Sequence, residues 1–268
     1  MIKLLVSDLD GTLLDHSKQV VERDLLALRQ AKEQGIDLCI ASGRMHSEIQ
    51  QVTQSIGKSA HSVSQNGAFV HLEDGSSLHA KLFNAELASQ IYEHTHSFDL
   101  VRVVCSADSN YINQITPASD LIQTRAYEAF RLRADLNNGL LTDLSCSKFS
   151  FFSSMEVLLE VKDYMERQFG DQIAMFVSEH DCLDIMPQHV SKGNSLLTLL
   201  NEIGLKPDEI ACVGDSFNDI SMFGLTRHSF VMDSAHPEVQ QAATHQVQSV
   251  AEAVQYVLSF NASLRSTR

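Results

Sequence analysis

The chain has 268 residues, of which 44% are hydrophobic and 20% charged, and its formal net charge is −14. This composition excludes a disordered or fibrous protein, because such chains lack the apolar residues needed for a core. The negative charge and the absence of any Lys/Arg-rich run also argue against nucleic acid or an anionic membrane as a partner, since both are bound through clustered cations.

The cysteines are odd in number and widely spaced, and none forms a C-x-x-C pair. They are Cys39, Cys105, Cys146, Cys182 and Cys212. This spacing argues against a disulfide framework or a cysteine-ligated metal. No segment approaches the roughly 20 apolar residues that span a bilayer, and no signal peptide is visible. We therefore predict a soluble, reduced, cytoplasmic protein.

The first part of the chain alternates strands and helices. Residues 2–7 read as a short apolar strand, residues 20–34 carry apolar side chains at helical spacing, and residues 36–41 read as a second strand. A helix from about 47 to 56 and a weaker strand at 61–65 follow. This alternation predicts a doubly wound parallel sheet, whose ligands lie beyond the carboxyl ends of its strands.

The alternation then stops. A hairpin pattern surrounds Asp74-Gly75, and from about residue 84 to 187 short strands and helices are mixed. This stretch is typical of an α+β insertion. We therefore divide the chain into a core of residues 1–83 and 188–268 and an inserted domain of residues 84–187.

After the insertion the α/β alternation resumes. The predicted elements are a helix at 193–203, strands at 209–213 and 230–232, a helix after Pro237, and a last helix near 250–260. Residues 263–268 lack apolar periodicity and are expected to fray.

Polar turns follow the strands or precede the helices at four places on one edge of the predicted sheet. They contain Asp8, Asp10 and Thr12; Ser42 and Gly43; Lys192; and Asp215, Asn218 and Asp219. Several carboxylates in one place are unfavourable unless a cation lies among them. Oxygen ligands select a hard cation such as Mg²⁺, and Lys192 would neutralise much of the remaining charge.

The first of these turns, Asp8-Leu9-Asp10-Gly11-Thr12-Leu13-Leu14, matches the D-x-D-G-T-L-L signature of haloacid dehalogenase-type phosphotransferases. Residues 41–44, 191–193 and 214–219 resemble the second, third and fourth motifs, in the family's order. The strings N-G-A at 66–68 and D-I-M-P at 184–187 resemble the Cof-like subfamily of sugar-phosphate phosphatases. The resemblance covers essentially the whole chain. It implies a Rossmann-like core with an inserted α+β cap of type IIB that selects the substrate.

The resemblance also implies roles for individual residues. Asp8 would attack phosphorus and become an aspartyl phosphate, and Asp10 would act as general acid and then general base. Mg²⁺ would be held by the Asp8 side chain, the Asp10 carbonyl and Asp215, while Asp219 reaches it through water or orients Lys192. The groups expected to bind the phosphoryl oxygens are Ser42, Lys192, Asn218 and the amides of Leu9 and Gly43.

Other polar residues have simpler interpretations. Arg44 could contact phosphate or pair with a structural carboxylate, and we favour the pairing. Thr12 is expected to hold the Asp10 loop rather than touch substrate. His94 and His96 are two residues apart, so they do not share a helix face and do not suggest a zinc site.

The sequence therefore predicts a Mg²⁺-dependent phosphatase of small phosphorylated metabolites. Sugar phosphates are the leading substrates, with pyridoxal phosphate and flavin mononucleotide as further candidates. The alternatives are a phosphomutase that uses the same intermediate and a non-catalytic phosphometabolite sensor. The expected partner is a small phosphate monoester, with no nucleic acid and no membrane, and the choice between monomer and homodimer stays open.

Overall fold

The computed structural model describes residues 1–57, 59–126 and 128–266. The chain divides into two compact units. The core unit comprises residues 1–80 and 191–268, and the inserted unit comprises residues 81–190.

The strands of the described residues are, in chain order, β1 (Leu4–Ser7), β2 (Asp37–Ala41), β3 (His61–Ser64), β4 (Phe69–His71), β5 (Ser77–Ala80), β6 (Val101–Cys105), β7 (Asn110–Ile112), β8 (Arg131–Leu132), β9 (Lys148–Phe152), β10 (Ile173–Glu179), β11 (Cys182–Pro187), β12 (Ile210–Gly214), β13 (Ser229–Met232) and β14 (His245–Val247). The α-helices are α1 (Glu22–Glu33), α2 (His46–Ile56), α3 (Ala85–His94), α4 (Pro117–Gln123), α5 (Leu136–Thr142), α6 (Met155–Phe169), α7 (Lys192–Ile203), α8 (Ile220–Phe223), α9 (Pro237–Ala242) and α10 (Val250–Ser266).

The core unit is built on one sheet, with the strand order β14-β13-β12-β1-β2-β3-β4-β5. The strands from β14 to β3 run parallel, and β4 and β5 add an antiparallel hairpin at the edge. The predicted parallel sheet is confirmed. Since β1 lies between β12 and β2, the turns that follow these three strands meet at one edge of the sheet.

Both faces of this sheet are covered by helices. Along β1, Leu5 packs on the side of α1, α2 and α10, whereas Leu4 and Val6 pack on the side of α7, α8 and α9. Successive strand residues point to opposite faces of the sheet, so a continuous apolar strand such as β1 is buried on both faces. The core sheet is therefore doubly wound, as predicted.

The inserted unit has a sheet of its own, in the order β10-β11-β9-β6-β7-β8. Its pairs are antiparallel except β7 with β8. Phe149 and Phe151 of β9 and Leu183 of β11 pack with α3, α5 and α6. This is the α+β character that the sequence predicts for the insertion.

The fraying predicted for the tail is wrong as far as Ser266. Helix α10 continues to that residue, and its residue Asn261, which is 5% exposed, is bonded to the segment that precedes β1. The Asn261 side chain accepts the N–H of Ile2 at 2.7 Å and donates to the carbonyl of Ile2 at 2.8 Å. Thr267 and Arg268 lie outside the described residues. Among the described helices, none combines the length and apolar content that crossing a membrane requires.

Candidate active site

Lys192 lies between two carboxylates at the carboxyl edge of the core sheet. It is the first residue of α7, and its side chain is fully buried. Its Nζ donates to Oδ1 of Asp8 and to Oδ1 of Asp219, at 2.6 Å in each case. Asp8 directly follows β1 and is 5% exposed, and its N–H donates to the carbonyl of Val213 at 2.9 Å. The ion pairs of Lys192 thus join α7 to the turns after β1 and β12, and so connect the two sequence segments of the core unit.

Asp219 holds the turn that follows β12. Its Oδ2 accepts the N–H groups of Asp215 and Ser216, both at 2.9 Å. A Cβ atom on Gly214 would lie 2.5 Å from the carboxyl carbon of Asp219, so this turn needs glycine there. Both oxygens of Asp219 have protein partners, and one of them is Lys192. Of the two roles expected for Asp219, the structure contains the contact with Lys192.

Asp215 packs against the D-x-D turn. The Thr12 hydroxyl, which was expected only to hold the Asp10 loop, donates to Oδ1 of Asp215 at 2.7 Å. Gly11 has φ +77°, and a Cβ atom there would lie 2.4 Å from Oδ2 of Asp215. Leu9 is fully buried, and its carbonyl accepts the N–H of Thr12 at 3.3 Å. A larger residue at position 11 would displace Asp215.

Three carboxylates share this site with one lysine. Oxygens of Asp8, Asp215 and Asp219 lie within 4.8 Å of one another, and no other group of this kind occurs among the residues that the structure describes. Burial raises the pKa of Asp8 well above its ordinary value, helped by repulsion from Asp219 and Asp215 and opposed by Lys192. Burial and the Asp219 charge raise the pKa of Asp215 to about 6. Burial would lower the pKa of Lys192, but Asp219 and Asp8 hold it above its ordinary value.

The donor set suits a divalent cation. Part of the pKa increase at Asp8 and Asp215 comes from neighbouring negative charge, which a bound cation would offset. The available ligands are carboxylate oxygens, the type that Mg²⁺ prefers. The residues present therefore fit the ion expected from the sequence.

Asp10 is paired with Arg44. The side chain of Asp10 is 48% exposed and that of Arg44 is 10% exposed. Nε of Arg44 donates to Oδ2 of Asp10 at 2.6 Å, and Nη2 donates to Oδ1. Two parallel bonds fix the plane of the carboxylate. Arg44 thus pairs with a carboxylate, and that carboxylate belongs to Asp10, the residue predicted to act as general acid and general base.

The side chains predicted to bind phosphate lie on the neighbouring turns. Ser42 is 1% exposed, and its Oγ accepts the N–H of Arg44 at 3.2 Å. Asn218 is 7% exposed, and its Nδ2 donates to Oδ1 of Asn66 at 3.0 Å. A Cβ atom on Gly43 would lie 3.2 Å from the same oxygen of Asn66. The turn after β2 and the turn after β12 therefore both contact Asn66.

Asn66 is not among the site residues predicted from the sequence, and it contributes there only to the family resemblance. A signal was present, because Asn66-Gly67 follows the strand β3 at the same edge of the sheet as the other polar turns. Its position at a strand end, like that of the turns after β1, β2 and β12, indicates a place in the site.

The chain resembles known proteins in sequence and in fold. A family model described as haloacid dehalogenase-like hydrolase matches residues 5–258. A protein of Serratia proteamaculans (strain 568) named HMP-PP phosphatase is 26% identical over 241 residues, which cover 90% of this chain and 87% of that protein. A crystal structure of a haloacid dehalogenase-like hydrolase from Bacteroides thetaiotaomicron is 26% identical, with a TM-score of 0.83 over 96% of this chain and 100% of that one. A HAD/COF-like hydrolase from Plasmodium vivax shares the fold, at 20% identity and a TM-score of 0.86 over 97% and 96% of the two chains.

Proposed function

The chain belongs to the haloacid dehalogenase-like hydrolases, and from this premise we propose that it is a Mg²⁺-dependent phosphatase of small phosphorylated metabolites. The family match and a relative named as a phosphatase support the hydrolysis of phosphate monoesters. The observation that carries the proposal is the group of Asp8, Asp215 and Asp219 near Lys192, in which Asp215 is partly buried and the other three residues are buried. One lysine cannot neutralise three carboxylates, so the site calls for a further cation.

The proposed reaction has two steps. In the first, a carboxylate oxygen of Asp8 attacks phosphorus, the bond to the ester oxygen breaks, and Asp10 donates a proton to the departing oxygen. In the second, water attacks the phosphorus of the aspartyl phosphate, Asp10 accepts a proton from this water, and inorganic phosphate leaves as the Asp8 carboxylate is restored. Arg44 binds the carboxylate form of Asp10 through two N–H groups. Asp10 therefore has to release at least one of these hydrogen bonds before it can carry the proton that it donates.

The charge of the phosphoryl group is met by donors on the surrounding turns. The proposed donors are the Lys192 ammonium group, the Ser42 hydroxyl, the Asn218 amide and the main-chain N–H groups of Leu9 and Gly43. The side chains of Asp8 and Asp215 and the carbonyl of Asp10 would hold Mg²⁺. When bound, this ion supplies positive charge that offsets the negative charge of the phosphate and of Asp8.

Sugar phosphates are the leading substrate class in this proposal. Pyridoxal phosphate and flavin mononucleotide remain candidates. HMP-PP is a further candidate, because a relative is named HMP-PP phosphatase. We assign the choice among these compounds to the inserted unit. We also place the protein in the cytoplasm, in keeping with its five cysteines, which are buried and form no disulfide among the described residues.

The test is a phosphate-release assay on a panel of phosphorylated metabolites. We expect release of inorganic phosphate from several sugar phosphates, with turnover reduced at least about hundredfold by EDTA and restored by added Mg²⁺. Undiminished turnover in EDTA would contradict the metal assignment. Phosphate transfer to a second sugar hydroxyl, with little free phosphate, would indicate a mutase. Tight binding without turnover across the panel would indicate a sensor.

A further inference from the structure

A buried turn of unusual backbone conformation follows β3. Gln65, Asn66 and Gly67 have φ values of +48°, +56° and +106°, and all three residues are buried. Side chains with a Cβ atom disfavour this left-handed region, and Asn tolerates it better than most. Two consecutive non-glycine residues in this conformation therefore require contacts that hold them there.

The contacts of this turn are with the loops predicted to bind phosphate. The N–H of Asn66 donates to the carbonyl of Ser42 at 3.0 Å, and the N–H of Gln65 donates to the carbonyl of Arg44 at 2.8 Å. The Asn66 side chain reaches further, because its Oδ1 accepts from Nδ2 of Asn218 at 3.0 Å. One turn thus binds both the loop after β2 and the loop after β12.

The other side of the turn packs against α7. The Ser195 hydroxyl donates to the carbonyl of Gly67 at 2.7 Å. A Cβ atom on Gly67 would lie 2.4 Å from the carbonyl oxygen of Ser191. The backbone of the turn is therefore anchored independently of the Asn66 side chain.

The contact with Asn66 determines the orientation of the Asn218 amide, that is, which way its NH₂ group and its oxygen point. A carboxamide has an NH₂ end and an oxygen end of nearly the same shape, so a flip exchanges two donors for an acceptor. Oδ1 of Asn218 is buried and has no hydrogen-bond partner among the described residues. The hydrogen bond to the Asn66 oxygen is therefore the contact that fixes the orientation of the Asn218 NH₂ group. This bond uses one N–H of the group, and the second N–H remains for a ligand.

We propose that Asn66 is a positioning residue, which holds the Asn218 amide with its NH₂ group, rather than its oxygen, toward the phosphoryl group. This inference rests on the proposed function, because it takes Asn218 as a phosphate donor. An amide free to flip would present its oxygen to phosphate part of the time, and two negative groups would then face each other. Asn66 acts only through Asn218, and this is the property that can be tested.

The experiment compares Asn66→Gly, Asn218→Ala and the double variant with the wild type. Glycine keeps the left-handed backbone and removes only the side chain. We expect Asn66→Gly to raise KM for p-nitrophenyl phosphate, and the dissociation constant of inorganic phosphate in Mg²⁺, about tenfold, with kcat changed less than about threefold. The double variant should bind phosphate no more weakly than Asn218→Ala alone, because the two residues act as one unit. The proposal would be overturned if the double variant lost phosphate affinity by the product of the two single losses, or if Asn66→Gly left phosphate affinity unchanged.

Ser195→Ala is the matched control. It removes a buried hydrogen bond of the same turn on the side away from Asn218, so it should lower the melting temperature and leave phosphate affinity unchanged. A purely structural role for Asn66 would make Asn66→Gly behave like this control.

A second variant and a binding measurement test the proposal if Asn66→Gly does not fold or if no substrate is hydrolysed. If Asn66→Gly does not fold, Asn66→Ser is used: it keeps a polar side chain on the turn but removes the amide oxygen that accepts from Asn218, and it should weaken phosphate binding about tenfold. Unchanged affinity in that variant would overturn the proposal. Calorimetric binding of inorganic phosphate needs no turnover, so it tests Asn66 even where no substrate is hydrolysed and the proposed function fails. A wild type that binds no phosphate would overturn both.

Discussion

Each unit of the chain buries a lysine beside aspartate, and the two sites differ in their balance of charge. In the core unit, Lys192 lies 2.6 Å from both Asp8 and Asp219. In the inserted unit, Lys148 of β9 lies 3.4 Å from Asp184 of β11. Asp184 is held more closely by a neutral group, the Ser150 hydroxyl, at 2.6 Å.

Both lysines are buried beside aspartate, but the surrounding charge differs between the two units. Burial tends to lower the pKa of Lys148, but Asp184 raises it above the ordinary value, as the aspartates do for Lys192. A buried lysine with a raised pKa therefore does not by itself identify the predicted active site, because each unit contains one. Around Lys192 the carboxylates outnumber the cation, and the pKa of Asp215 rises to about 6. The excess negative charge, which a metal can offset, distinguishes the core site.

The largest expected effect is that of Asp8→Asn. Turnover of p-nitrophenyl phosphate should fall at least about 10³-fold, because an amide oxygen is a poor nucleophile. The metal-free variant should melt at or above the wild-type temperature, since the change removes one of three repelling carboxylates. Steady-state kinetics and thermal denaturation in EDTA measure the two effects. Full activity would refute Asp8 as the nucleophile, and a large loss of stability would refute the charge argument.

Asp184→Asn should show the reverse behaviour. It leaves Lys148 buried without its carboxylate, which costs about 3 kcal/mol of unfolding free energy, or about 6–12 °C in melting temperature. The value of kcat should stay within about threefold of the wild type at temperatures where the variant is folded. Asp181→Asn is the matched control in the same unit, because Asp181 pairs with Arg125 at 2.7 Å but is 29% exposed. Its loss should stay below about 1 kcal/mol. Equal losses in the two variants would contradict the argument.

The smallest expected effect is a pH dependence at Asp215. Burial and Asp219 raise its pKa to about 6 from an ordinary value of 3.8. The folded protein therefore binds more protons than the unfolded chain between these pH values, so this group's contribution to stability falls as pH rises through the window, by about 2 kcal/mol. The measurement is the difference in melting temperature between the wild type and Asp215→Asn in EDTA, at pH 4.5 and 6.5. Mg²⁺ should cancel the change, and a difference independent of pH would count against it.

Much of the core fold could be predicted because its signals are local. Alternating apolar strands and amphipathic helices indicate a parallel sheet, and polar turns at strand ends indicate its active edge. The haloacid dehalogenase-like family and the doubly wound fold are confirmed. The residues of the D-x-D turn could be named from the sequence because they are consecutive.

Contacts between distant residues could not be predicted in the same way. Thr12 donates to Asp215 across 203 positions, and Asn218 donates to Asn66 across 152. Neither pair leaves a periodic signal in the sequence. The strand order of the inserted unit depends likewise on distant pairing, and Asn261 of α10 bonds to Ile2, 259 positions away.

The central place of β1 in the core sheet has a consequence for synthesis of the chain. β1 pairs in register with β12, from Leu4 with Ile210 to Ser7 with Val213. Lys192 follows Asp8 by 184 positions. On the ribosome, Asp8 therefore emerges long before the lysine and the strand that bury it. Until then it is an ordinary solvated carboxylate, and the inserted unit is translated in full before the acidic site can assemble.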